Sequence, residues 1–195
     1  DILQKAEDVE FTKKMGHRVV TIVSAMGDNT DHLISLAEQI SGSPSKREMD
    51  MLLSTGEQVT IALLAMAIEA LGESAVSLTG PQAGITTDCA HCKAKILKVC
   101  PDRLLRELND KKIVIVAGFQ GVTVNNDITT LGRGGSDTTA VAIAAALKAE
   151  VCEIYTDVDG VYAADPRIVP KIKKLDIVSH DEMLELASLG TTILQ

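Results

Sequence analysis

The stretch IVIVAGFQGVTVNNDITTLGRGGSDTTAVAIAAAL, residues 113–147, has the clearest structural pattern in the sequence. It begins with an apolar run of Ile, Val and Ala, which is typical of a central strand buried on both faces. It ends with an Ala-rich apolar run that has the length of a helix and extends to about Lys148. Between the two runs lies a polar loop that contains Gly132, Gly134 and Gly135. The stretch therefore predicts a strand, a glycine-bearing loop and a buried helix in succession.

The rest of the chain repeats this alternation. Apolar runs predict further strands, and amphipathic segments between them predict helices. Capping boxes, Ser45 with Glu48 and Ser179 with Glu182, mark two helix starts. Strands that alternate with helices imply right-handed crossovers, so we expect an α/β fold with a mostly parallel sheet. The further strands are predicted at residues 19–26, 74–78, 93–99 and 151–156, and the helices at 1–15, 31–40, 45–53, 57–71, 101–108 and 179–189, with STGE (54–57) as a break.

Composition excludes several classes of function. Hydrophobic residues make up 46% of the 195-residue chain and aromatic residues only 2%, so a surface that stacks on nucleic-acid bases is not expected. The net charge of −8 argues against nonspecific binding to nucleic acid or to an anionic membrane. Neither a signal peptide nor a membrane span is recognisable. We therefore expect a cytoplasmic protein with no nucleic-acid or membrane partner.

Four polar loops with glycine follow predicted strands. In open parallel sheets, ligands bind beyond the carboxyl ends of the strands, so these loops are expected to meet at one edge. Glycines let backbone approach an anion, and a helix start offers free N–H groups. The loops are SAMGDNTD (24–31), TGPQAGITTD (79–88), GFQGVTVNNDITTLGRGGSD (118–137) and TDVDGVYAADPR (156–167).

Each candidate group in these loops, and Glu57 at the predicted helix break, also has a simpler structural explanation. Arg133 offers a planar fork for a carboxylate or phosphate, but it would also suit a solvent-facing turn whose helix Ser136 or Asp137 caps. Glu57 and Thr30 could serve helix starts alone. From the residues alone, both explanations remain open for all five positions.

Two segments contain residue types that can bind a metal ion. The acids of residues 156–167 suit Mg²⁺ or ribose, yet Asp, Gly and Pro also form plain turns. The CAHC motif, residues 89–92, lacks the second ligand pair of a zinc site. No metal ligands are therefore assigned.

Four motifs in this order resemble the aspartate kinase family, within the amino acid kinase superfamily. They are LLSTGEQ (52–58), GFQG (118–121), TLGRGGSDTTA (130–140) and TDVDGVYAADPR (156–167). The resemblance spans nearly the whole chain and implies a three-layer α/β/α sandwich around a mostly parallel sheet. It also implies ATP-dependent phosphorylation of the side-chain carboxylate of L-aspartate, with Mg²⁺. That reaction is the first step toward lysine, threonine and methionine, and in bacteria toward diaminopimelate.

Site residues follow from the resemblance position by position. Glu57 resembles the residue that holds the substrate ammonium, and Arg133 resembles the one that grips its α-carboxylate. The remaining assignments are Thr30 and Ser136 for substrate contacts, Ser24 and Asp137 for catalysis, and Thr156, Asp157, Tyr162 and Arg167 for the nucleotide.

The chain departs from the family pattern at both ends. The family begins with a Lys-Phe-Gly-Gly-Thr-Ser strand that cradles the transferred phosphate and continues into ACT regulatory domains, and neither has a counterpart here. Thr192, Gln195 and Cys92 also differ from the usual residues. We therefore expect residues 1–195 to be a catalytic domain truncated at both ends, inactive alone, from a homodimeric or larger parent. The alternatives are a noncatalytic nucleotide-binding fragment and a related kinase with another substrate.

Overall fold

The structure, a computed structural model, describes residues 2–156, 174–179, 181–183 and 185. The chain divides into two compact units, Asp1–Cys152 and Glu153–Gln195. The first unit contains five helices and seven strands among its described residues. In chain order these are α1 (Ile2–Lys14), β1 (Val20–Val23), α2 (Asn29–Ile40), α3 (Lys46–Ala70), β2 (Ala75–Leu78), β3 (Ile85–Thr87), β4 (Ile96–Val99), α4 (Asp102–Asn109), β5 (Ile113–Ala117), β6 (Gln120–Val122), β7 (Ile128–Thr130) and α5 (Gly135–Leu147).

A parallel three-stranded sheet forms the centre of this unit. Its order is β1-β5-β2, and Val114 of β5 pairs with Val20 on one side and Val76 on the other. All residues of β5 are buried, which the uninterrupted apolar run at its position in the sequence predicts. The strand predictions at 19–26, 74–78 and 93–99 are confirmed by β1, β2 and β4.

Helices cover both faces of this sheet. One cluster of buried side chains joins α1 and α3 to one face, where Ile68 of α3 packs with Ile113 of β5. A second cluster joins α4 and α5 to the other face, where Ile143 of α5 packs with Val114 of β5. With helices on both faces, the predicted three-layer α/β/α architecture is confirmed.

A second sheet, of four short strands, lies mostly in segments predicted as loops. Its order is β4-β3-β6-β7, with β3 and β6 parallel and the outer pairs antiparallel. The strands β3, β6 and β7 have three residues each, too few to show an alternating pattern. β6 and β7 are neighbours in the sequence. The pairing of β3 with β6 joins the distant residues Thr86 and Val122, and a local pattern does not reveal such a partner.

Helix α3 is continuous through the STGE segment, so the predicted break there is wrong. An added Cβ at Gly56 would lie 3.1 Å from the Cβ of Ala25. The glycine therefore allows the loop after β1 to pack closely on the helix, and packing outweighs its low helix propensity.

Helix α3 is long and apolar enough to cross a membrane. Within the described ranges it is the one helix that meets this criterion, which considers length and composition alone. Its buried face carries Asp50, Ser54, Glu57 and Thr60 beside apolar residues. It contacts α1, α2 and both sheets, as a core helix does.

The strand predicted at residues 151–156 is wrong. These residues are described, are exposed throughout and form no strand. An apolar run becomes a strand only where its backbone groups pair with a sheet.

The two predicted capping boxes differ in outcome. In the second unit, Ser179 and Glu182 exchange hydrogen bonds: the Ser179 N–H donates to Glu182 Oε2 over 2.8 Å, and the Glu182 N–H donates to Ser179 Oγ over 3.3 Å. That box is confirmed. Ser45 does precede α3, but its side chain makes no capping hydrogen bond, and Glu48 pairs with Arg47 instead.

Candidate active site

A cavity of about 250 Å³ opens where β1 and β5 end and α5 begins. The parallel strands predict a ligand site at this edge. The structure brings together around it every described residue that the sequence assigns to the substrate or to catalysis. These are Ser24, Thr30, Glu57, Arg133, Ser136 and Asp137.

Glu57 is the buried acid of this cavity. Its side chain lies on the inner face of α3, and the residue is 3% exposed. The Ala25 N–H donates to Oε1 over 3.3 Å, whereas Oε2 is buried without a hydrogen-bond partner, alone in this respect within the described part of the chain. Burial raises the pKa of Glu57 to about 7, although backbone hydrogen bonds oppose the rise. A cation at Oε2 would remove this cost.

The glycine-rich turn presents Arg133 beside the start of α5. Gly134 precedes the helix in the left-handed conformation, with φ of 70°, which glycine adopts at little cost. Arg133 is exposed, and no carboxylate of the described ranges forms an ion pair with it. Its guanidinium is therefore available to an anionic ligand.

Ser136 links this turn to the loop after β1. Ser24 Oγ donates to Ser136 Oγ over 2.7 Å. Gly118 makes room for the contact, since an added Cβ there would lie 2.6 Å from Ser136 Oγ. Neither Ser136 nor Asp137 caps α5; Gly134 occupies the cap position without a side-chain hydrogen bond. Both side chains instead line the cavity from the first turn of the helix.

Thr30 lies within the first turn of α2, one residue past its start, and so does not occupy the cap position. Of the predicted nucleotide residues, Thr156 is described and exposed. The other three, Asp157, Tyr162 and Arg167, lie outside the described residues.

A buried polar cluster around Asp50 of α3 was not predicted. Asp50 is fully buried on α3. It accepts hydrogen bonds from His91 Nδ1 at 2.6 Å, from the Cys92 N–H at 3.0 Å and from Thr130 Oγ1. The signal in the sequence was an acid on the same helical face as Glu57, about two turns earlier. The CAHC segment thus contacts α3, and the described residues contain no group of three or more metal-ligating side chains.

Comparison with known proteins places this geometry in a family. A sequence model of the amino acid kinase family matches residues 2–195. The chain belongs to the amino acid kinase family. It is 59% identical over 194 residues to an aspartokinase of Mycolicibacterium smegmatis, covering 99% of this chain and 46% of that protein. It is 62% identical over 182 residues to aspartokinase 2 of Bacillus subtilis, covering 93% and 45%. The chain thus spans about half the length of the curated relatives it matches.

Solved structures of amino acid kinases agree with the fold. Aspartate kinase from Synechocystis is 50% identical, with a TM-score of 0.82, over 100% of this chain and 32% of that one. Aspartokinase III of E. coli, in complex with aspartate and ADP, is 32% identical, with a TM-score of 0.73, over 85% and 38%.

Proposed function

We propose that this chain carries the amino acid site of an aspartate kinase, which transfers the γ-phosphoryl group of ATP to the side-chain carboxylate of L-aspartate. The proposal rests mainly on one observation: Glu57 and Arg133 line the same cavity. A buried acid with an unpartnered oxygen suits an ammonium, and an unpaired guanidinium suits a carboxylate. Together they fit the two charged groups on the α-carbon of an amino acid.

The remaining carboxylate of L-aspartate is then the nucleophile. It is already an anion, so the transfer needs no general base and depends on positioning and charge neutralisation. The start of α5 offers backbone N–H groups and the positive end of a helix dipole. Ser24, Ser136 and Thr30 add hydroxyl groups to the cavity wall. We assign Asp137 to organising these groups.

Mg²⁺ enters as part of the nucleotide substrate. Among the described residues, Glu57 and Asp137 are the two acids that line the cavity, and Glu57 is assigned to the ammonium. We therefore assign the ion to the ATP phosphates. The nucleotide assignments also remain part of this proposal; they are Thr156, Asp157, Tyr162 and Arg167.

The wider role follows from the reaction. Similarity to aspartokinases, one of them in complex with aspartate and ADP, supports a place at the entry to lysine, threonine, methionine and diaminopimelate synthesis. We also propose a cytoplasmic catalytic domain within a homodimer or larger oligomer.

A hydroxamate assay tests the substrate. The complete protein is incubated with MgATP, hydroxylamine and one of L-aspartate, L-glutamate or UMP. We expect trapped acyl phosphate with L-aspartate. ADP release is measured in parallel, because phosphorylated UMP forms no hydroxamate. Turnover with glutamate or UMP but not with aspartate would reject the proposal, and ADP binding without aspartate binding would favour a noncatalytic role.

A further inference from the structure

The buried cluster around Asp50 joins the two structural elements that carry Glu57 and Arg133. Asp50 and Glu57 lie about two turns apart on the buried face of α3. Thr130 ends β7, just before the glycine turn with Arg133. The hydrogen bond from Thr130 Oγ1 to Asp50 Oδ1 therefore connects the helix of the ammonium site directly to the strand of the carboxylate site.

The loop that contains His91 also links Asp50 of α3 to Thr130 of β7. Its His91 Nδ1 and Cys92 N–H donate to Asp50. Two residues later the Ala94 N–H donates to the Thr130 carbonyl over 3.0 Å. The loop thus contacts both Asp50 and Thr130, so each is fixed relative to the other by two routes.

Three donors hold the carboxylate of Asp50 in place. Both of its oxygens accept hydrogen bonds, from two side chains and one backbone N–H. Buried polar groups that are fully hydrogen-bonded hold a specific geometry. The geometry held here is the separation of α3 from the end of β7.

We propose that Asp50 is a positioning residue for the amino acid site, which sets the spacing of Glu57 and Arg133 through Thr130. This inference rests on the proposed function, because the spacing matters for a ligand that contacts both residues. An L-amino acid has its ammonium and carboxylate on one carbon, so a small change in spacing weakens one of the two contacts. The nucleotide touches neither group in this assignment.

The test compares Asp50→Asn with a matched control. Glu107 is a carboxylate of similar burial on α4, held by Arg103 and Lys112 at 2.6 Å each, and it does not line the cavity. In the complete protein, Asp50→Asn is expected to raise the KM for L-aspartate by about fivefold or more and that for ATP by less than about twofold. Glu107→Gln is expected to leave both KM values near those of the wild type. An unchanged aspartate KM in Asp50→Asn would overturn the proposal.

Thr130 provides a second pair of variants if Asp50→Asn folds poorly. Thr130→Val removes the hydroxyl donor at similar volume, and Thr130→Ser keeps it. We expect the aspartate KM to rise in the first variant and to stay near wild type in the second. Equal values in the two variants would contradict the proposal.

Hydrogen exchange separates this inference from the proposed function. Faster exchange at residues 130–135 in Asp50→Asn, but not in Glu107→Gln, is expected even if the wild-type protein does not use aspartate. Unchanged exchange there would overturn the positioning role, whereas an inactive wild type would overturn only the proposed reaction.

Discussion

The Ala25 N–H donates a hydrogen bond to Glu57 Oε1 over 3.3 Å and leaves Oε2 buried without a partner. The contact fixes the orientation of the carboxyl group, since the donor belongs to the loop after β1. A carboxylate oriented in this way, with one oxygen unsatisfied, is preorganised for a cation. In the ligand-free protein, burial of this ionised carboxylate without a cation is unfavourable. The first two predictions follow from that destabilisation.

Glu57→Gln should stabilise the ligand-free protein at neutral and higher pH. The folded-state pKa of about 7 exceeds the ordinary value of 4.5, so the folded state binds the extra proton and the wild type loses stability as pH rises from 4.5 to 7. The pKa difference corresponds to about 3 kcal/mol. Urea unfolding of both proteins at pH 5 and pH 8 should show the advantage of the variant growing with pH. If the difference in unfolding free energy between the two proteins were the same at both pH values, Glu57 would not be a buried acid without a partner.

Binding of L-aspartate should release protons near neutral pH. An ammonium at Oε2 favours the ionised carboxylate and lowers its pKa. About half a proton should therefore be released per bound ligand at pH 7, where about half of the Glu57 side chains are protonated. Calorimetry in two buffers of different ionisation enthalpy measures this number. Glu57→Gln is the control, and equal proton release from it would assign the effect to another group.

Arg133→Lys should raise the KM for L-aspartate far more than that for ATP. Lysine keeps the positive charge but loses the two-pronged hydrogen bonding of the guanidinium. Steady-state kinetics with each substrate varied in turn measures the difference. Arg106→Lys, at an exposed position on α4, is the control. Equal increases in both KM values would assign Arg133 to the phosphates.

Gly118→Ala should reduce activity without unfolding the protein. The added Cβ would lie 2.6 Å from Ser136 Oγ and 2.8 Å from its Cβ, so the start of α5 must shift. Gly42→Ala, where an added Cβ meets nothing within 4 Å, should retain wild-type activity. Comparison of kcat and of circular dichroism for the two variants provides the test, and full activity in Gly118→Ala would show that the Ser24–Ser136 contact is dispensable.

Prediction from sequence succeeded where the signal was local. The apolar run of β5 and the Ala-rich run of α5 each indicate their own structure, because burial of a whole strand or helix leaves a continuous pattern in the residues themselves. Alternation of strands and helices then places Ser24 and Ser136 at one edge of the sheet, where the cavity lies.

Prediction from sequence failed where the outcome depends on distant partners. In the sequence, Gly56 indicates a break in the helix. In the structure, Ala25 packs against Gly56 and the helix is continuous. Residues 151–156 have the composition of a strand, although they are exposed and are not part of a strand. The hydrogen bonding of Asp50 likewise depends on Thr130, which is distant in sequence.

The affinity ratio of L-aspartate to succinate tests whether Glu57 binds the ammonium of an amino acid. Succinate is the same diacid without the ammonium, so the ratio isolates the contact assigned to Glu57. Calorimetry of the complete protein should show strong preference for L-aspartate in the wild type and a much smaller preference in Glu57→Gln. A preference that stays unchanged in Glu57→Gln would contradict the assignment of this cavity to an amino acid ammonium.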